Sequence, residues 1–64
     1  MAISIKAARV NAGLTQTEVA DYVGKTKNTI ASYEAYTTTP DVQTAQAMAT
    51  LFNMSIDDIV WVKE

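Results

Sequence analysis

Only Gly24-Lys25-Thr26 separates two short segments with helical patterning, "QTEVADYV" and "KNTIASYE". A link of three residues admits few geometries, because two helices so joined must cross steeply. The first helix then needs a small side chain where the second leans on it, and Ala20 supplies one. The turn needs a residue at ease with positive φ, which Gly24 provides. The second helix must return apolar groups to the core, as Ile30 and Tyr33 can.

Gly-Lys-Thr also closes the phosphate-binding loop of nucleotide-binding proteins, but the surroundings do not match. That loop needs a glycine five residues earlier, where this chain has Val19, and a buried strand leading in. "TQTEVADYV" reads instead as a capped helix, and 64 residues leave no room for a parallel sheet with crossover helices.

Similar punctuation recurs along the chain. Thr15-Gln16-Thr17-Glu18 is a capping box, with Leu14 and Val19 at the positions of a hydrophobic staple. Ser55-Ile56-Asp57-Asp58 is a weaker version, with Met54 and Ile59 as its staple. Thr39-Pro40-Asp41 offers a hydroxyl cap, proline at the first helical position and an acid in the first turn. Ser4 and Thr26 can cap two further segments, while Gly13, Gly24 and Asn53 suit helix ends. Five helices are expected, over roughly 4–12, 16–23, 27–34, 40–52 and 56–61. In the fourth, Val42, Ala45, Met48, Ala49 and Phe52 share a face and read as core. Tyr22 and Tyr33 read as core or partly buried packing residues. The expected fold is all-α, one compact five-helix domain spanning residues 1–64, with a core near the lower size limit for a chain lacking staples.

Cysteine and histidine are both absent. That removes disulfides, thiolate metal sites, the usual general base and the commonest neutral metal ligand. An enzyme is not expected, nor a metal or cofactor. No apolar run reaches membrane length and no signal segment opens the chain, so a cytoplasmic protein is expected. The formal charge of −2 hides a polarity. Residues 1–33 balance to +2 and residues 34–64 to −4, which gathers the acid in the second half.

With these residues in place, the sequence resembles the Cro and lambda-repressor-type helix-turn-helix DNA-binding domains. The likeness runs from about Ile5 to Ile59. It comprises Arg9, "GLTQ" at 13–16, "EVA" at 18–20, Gly24, Thr26, "TI" at 29–30, "YE" at 33–34, Pro40 and "LFNMSIDDI" at 51–59. The ordered set, with each spacing kept, is specific where its pieces are not. It implies a five-helix domain whose third helix enters the DNA major groove. The residues permit the same reading. If Ile30, Tyr33 and Glu34 face inward, Lys27, Asn28, Ala31 and Ser32 face outward. Asn28 suits an adenine edge, Lys27 a guanine edge, Ala31 a thymine methyl, and Ser32 either kind of pair. An ordinary solvated face would more often hold Glu and Arg pairs at four-residue spacing.

The expected phosphate contacts gather around the same helix. Thr26 caps it and Thr29 lies in its first turn, so Gly-Lys-Thr meets DNA phosphate through Lys25, Thr26 and the free helix amides. The resemblance assigns Gln16 a phosphate contact and a supporting role beside the first recognition side chain. It also implies a partly buried structural salt bridge between Arg9 and Glu34. Two departures stand out. Lys25 occupies a turn position that is commonly apolar in the family, and Tyr36 one that is commonly glycine. The loop after it offers Thr37 and Thr38 hydroxyls to phosphate where the family has Lys or Arg.

The implied function is a sequence-specific transcriptional regulator, more specifically a repressor of phage or prophage type, bound to double-stranded operator DNA. Few free cations remain, so tight binding calls for a homodimer on a palindrome. Val60-Trp61-Val62 is the candidate dimer contact, with Trp61 read equally well as a lid over the local core. The rival is an antitoxin-like or other protein-binding module on the same fold, for which the acidic second half is suited.

Overall fold

In the computed structural model, which describes residues 1–63, regular backbone begins with a strand and not with a helix. β1 (Ile3–Ser4) runs into α1 (Ile5–Asn11), followed by α2 (Gln16–Val23), α3 (Lys27–Glu34) and α4 (Val42–Leu51). A 3-10 turn over Ile56–Asp58 leads into β2 (Ile59–Val60). β1 and β2 pair in parallel, Ile3 opposite Ile59 and Ser4 opposite Val60. The described residues therefore hold four α-helices and a minimal sheet, in place of five helices.

The start signals act largely as the side chains dictate. The Ser4 hydroxyl accepts the Ala7 amide at 3.0 Å. Thr15 accepts from the Glu18 amide at 3.1 Å while the Glu18 carboxylate takes the Thr15 amide at 2.9 Å, closing the capping box. α4 departs from expectation. Its N-cap is Asp41, whose carboxylate accepts the Thr44 amide at 2.8 Å. A charged acceptor outcompetes the Thr39 hydroxyl, and Pro40 falls outside the helix, where it is buried. The Thr44 hydroxyl, then the Thr44 amide, hold the Asp41 carboxyl below the usual carboxylate range, and the Lys25 charge acts in the same direction. A carboxyl depressed in the folded state contributes stability above its unfolded pKa and loses it as pH falls through its folded value. Asp41→Asn should therefore flatten the acid limb of a stability-versus-pH curve measured by urea denaturation, with little change in slope near neutrality.

The fifth helix stops after one turn. Ser55 caps Ile56–Asp58 through the Asp57 amide, but Ile59 is extended at φ −118°, ψ 134°. Ile59, Val60 and Val62 are β-branched and Trp61 is aromatic, a run that fits a pleated surface better than a helix. β1 gives it a partner.

Ile5, Val19, Ile30 and Met48 are the large side chains closed completely from solvent. Ala8, Ala20, Tyr33, Ala45, Ala49, Phe52 and Ile59 complete the buried apolar set. Ala20 and Ile30 are thus both inside where α2 meets α3. Two readings of core do not hold. Val42 is 77% exposed, because α4 starts with it and Thr44 takes the inward position instead. Tyr22 is 57% exposed, at the edge of the stripe that Val19 and Ala20 bury on α2.

Gly24 has φ 73°, and nothing lies within 4 Å of where a Cβ would stand. Its need is for backbone freedom alone. Gly24→Ala should cost about 1 kcal/mol in urea denaturation and leave the native contacts unchanged. No helix among the described residues is long and apolar enough to cross a membrane.

Candidate nucleic-acid interface

α3 is held from one side only. Ile30 and Tyr33 bury their side chains, and Glu34 at the last position is 6% exposed. The Glu34 carboxylate accepts from three donors belonging to two other helices. Arg9 Nε lies 2.5 Å and Nη2 3.2 Å from its oxygens, and Gln16 Nε2 lies 3.0 Å from Oε1. Arg9 Nη1 also donates to the Leu14 carbonyl at 2.8 Å, which fixes the link between α1 and α2. One carboxylate thereby joins α1, α2 and α3. Arg9 is 12% exposed, and its charge is engaged inside the chain.

The opposite side of α3 is open. Lys27 and Asn28 are exposed, while Ala31 and Ser32 are half-buried further along. At the N-terminus the Thr26 hydroxyl accepts the Thr29 amide at 3.3 Å, and the two threonine hydroxyls lie 3.0 Å apart. Thr26 is exposed and Thr29 half-buried. Lys25 is exposed beside them, close enough for its charge to favour ionised Asp41. Gln16 is half-buried, with its amide nitrogen turned toward Glu34 at the far end of α3 from Asn28. A carboxylate can only accept, so it fixes which way the amide faces.

Beyond α3 the chain closes in the reciprocal hydrogen-bond pattern of a left-handed helix terminus. The Tyr36 amide donates to the Tyr33 carbonyl at 3.1 Å and the Thr37 amide to the Ser32 carbonyl at 3.0 Å. These bonds occupy the Thr37 amide inside the chain and leave its hydroxyl exposed, as is that of Thr38. Tyr36 itself has φ 60°. Its hydroxyl donates to the Val60 carbonyl at 2.9 Å and accepts the Ile5 amide at 3.4 Å.

The Val60–Val62 segment divides into three environments. Val60 is half-buried in the strand pair. Trp61 is half-buried against the core, its indole N–H donating to the Ile56 carbonyl at 2.9 Å. Val62 is 57% exposed. Three features of this region have no counterpart in the sequence reading. They are the Leu14 carbonyl under Arg9, the Tyr36 hydroxyl between β2 and the start of α1, and the approach of Lys25 to Asp41. The only hint of the second was a tyrosine where glycine is the common residue.

Helices α2 and α3, the three-residue turn and the exposed side of α3 all fall within residues 5–59, the span matched by the family model described as Helix-turn-helix. A comparison with curated proteins gives no match. The match covers most of the 64 residues and includes every α-helix and the turn between α2 and α3. The chain belongs to the helix-turn-helix family of DNA-binding transcriptional regulators.

Proposed function

We propose that the protein is a sequence-specific repressor of phage or prophage type that inserts α3 into the major groove and acts by occupying its operator. The observation that carries this reading is the asymmetry of α3. One side is fastened to α1 and α2 through Ile30, Tyr33 and Glu34, and the other offers exposed Lys27 and Asn28. A helix fixed in this way reaches base edges without ordering itself on binding, which saves conformational entropy. Lys27, Asn28, Ala31 and Ser32 read bases. Gln16, Lys25, Thr26, Thr29, Thr37 and Thr38 meet the backbone and set the register. Gln16 keeps one N–H on Glu34 and gives its second to phosphate.

With Arg9 engaged by Glu34, the side-chain cations open to phosphate are Lys6, Lys25, Lys27 and Lys63. Even if all four act, the salt dependence of one subunit is bounded at a slope of roughly −4. So weak an electrostatic term favours two subunits on one site. We place them on a palindrome with half-sites about one helical turn apart, in contact through the Val60–Val62 segment with exposed Val62 as its apolar element.

Selection of binding sites from a randomised duplex pool, at low and moderate salt, tests the reading. A short enriched palindrome is the expected result, and sedimentation on the selected duplex should count two subunits. A pool without enrichment at low salt would discard operator binding and favour a protein-binding module, with the same segment as the surface to probe.

A further inference from the structure

We infer that Tyr36 is a positioning residue for the DNA backbone contacts after α3, an inference that rests on the DNA-docking reading above. Tyr36 is mismatched to its backbone position. α1, α3 and α4 each close on a left-handed residue, at Gly13, Tyr36 and Asn53 respectively. Glycine adopts this conformation without penalty and asparagine tolerates it, whereas a bulky aromatic is an outlier there.

What the tyrosine gains in return lies at its far end. The ring packs against the buried core, and the hydroxyl spans two segments, accepting from the Ile5 amide and donating to the Val60 carbonyl. Glycine could make neither contact. The loop that follows α3 is thereby pinned to the strand pair and to the first turn of α1. Next to the pin stand Thr37 and Thr38, whose exposed hydroxyls replace the basic side chains expected for this loop. A lysine reaches phosphate on a long flexible stem. A threonine hydroxyl has almost no reach, so its backbone has to be held where the phosphate will be. Tyr36 provides that hold, and the short polar loop depends on it.

Tyr36→Phe is the informative substitution, since it keeps the ring and the backbone conformation and deletes only the hydroxyl. At a temperature where both proteins are fully folded, the variant should bind the selected duplex about three- to tenfold more weakly, the equivalent of one lost neutral hydrogen bond. The loss should be equal on scrambled duplex, with the salt slope unchanged because no charge is removed. Amide exchange at Thr37 should accelerate in the free variant. A lower melting temperature with wild-type affinity would overturn the inference and leave Tyr36 a purely structural group. A changed base preference would overturn it too. The wild-type protein supplies a check independent of any variant. Thr37 and Thr38 amide resonances should shift on adding the selected duplex, and their failure to move while those of Asn28 do would sink the proposal. If wild type binds no duplex at all, the docking reading itself fails, which is visible before Tyr36 is changed.

Discussion

Glu34→Ala should lose roughly 3–5 kcal/mol of stability in urea denaturation. That is a large part of the roughly 3–10 kcal/mol expected for a domain of this length. The reason is what the substitution leaves behind. Arg9 would keep its bond to the Leu14 carbonyl but face an empty site with Nε and Nη2, at 12% exposure. Gln16 Nε2 would lose its acceptor as well. An unpaired charge taken out of water costs far more than the intact pair contributes, so the effect measures desolvation and not the strength of the bridge. The double variant Arg9→Met, Glu34→Leu separates the two. It should recover most of the loss, because apolar groups of similar volume need no partner. A single-variant cost below about 1 kcal/mol would instead mark the pair as a solvated surface contact.

Asn28→Ala should weaken binding to the selected duplex by about 1–3 kcal/mol and relax preference at one base position. Asn28 is exposed in the first turn of α3, so alanine there removes nothing from the core. Thermal melts of the two proteins should coincide, which assigns the lost affinity to the interface. Gln16→Ala gives the contrasting signature, a weakening shared by all sequences. Wild-type affinity and preference in the Asn28 variant would show that α3 does not enter the groove as proposed.

The parts of the molecule readable from sequence are those written in local chemistry. The Thr15–Glu18 box needs residues three apart, and Gly24 announces its own φ. Ala20, Ile30 and Tyr33 lie within one helical hairpin, so their meeting follows from the short turn between them. Arg9 and Glu34 meet across a longer separation, and their pairing was legible only through the family likeness. The strand pair is not legible, because two residues carry too little pattern to signal a strand and neither strand is stable without the other. Asp57-Asp58 after Ser55 reads as the start of a helix, but the β-branched residues beyond it decide otherwise once Ile3 is available as a partner. Residue type alone suggests Tyr22 as a packing residue and a shared helix face suggests Val42, yet Tyr22 lies at the edge of the buried stripe of α2 and Thr44 takes the inward position at the start of α4. The open side of α3 follows from the phase that Ile30 and Tyr33 set within that helix. The place of the Tyr36 hydroxyl does not, since a bond to Val60 and Ile5 depends on how segments distant in sequence come together.

The pairing of Ile3 with Ile59 also bears on the order of assembly. α2 and α3 can dock as soon as both are helical, since their contacts close only a short length of chain. The ladder has to close nearly the whole chain, and that entropy is recovered only when the core around Met48 and Ile5 has formed. It should therefore be among the last contacts made during folding and the first lost when the native state opens. Slow hydrogen exchange at Ile30 beside early loss of protection across the strand pair would be its signature. A partly opened molecule would then keep its α2–α3 hairpin while the two strands come and go.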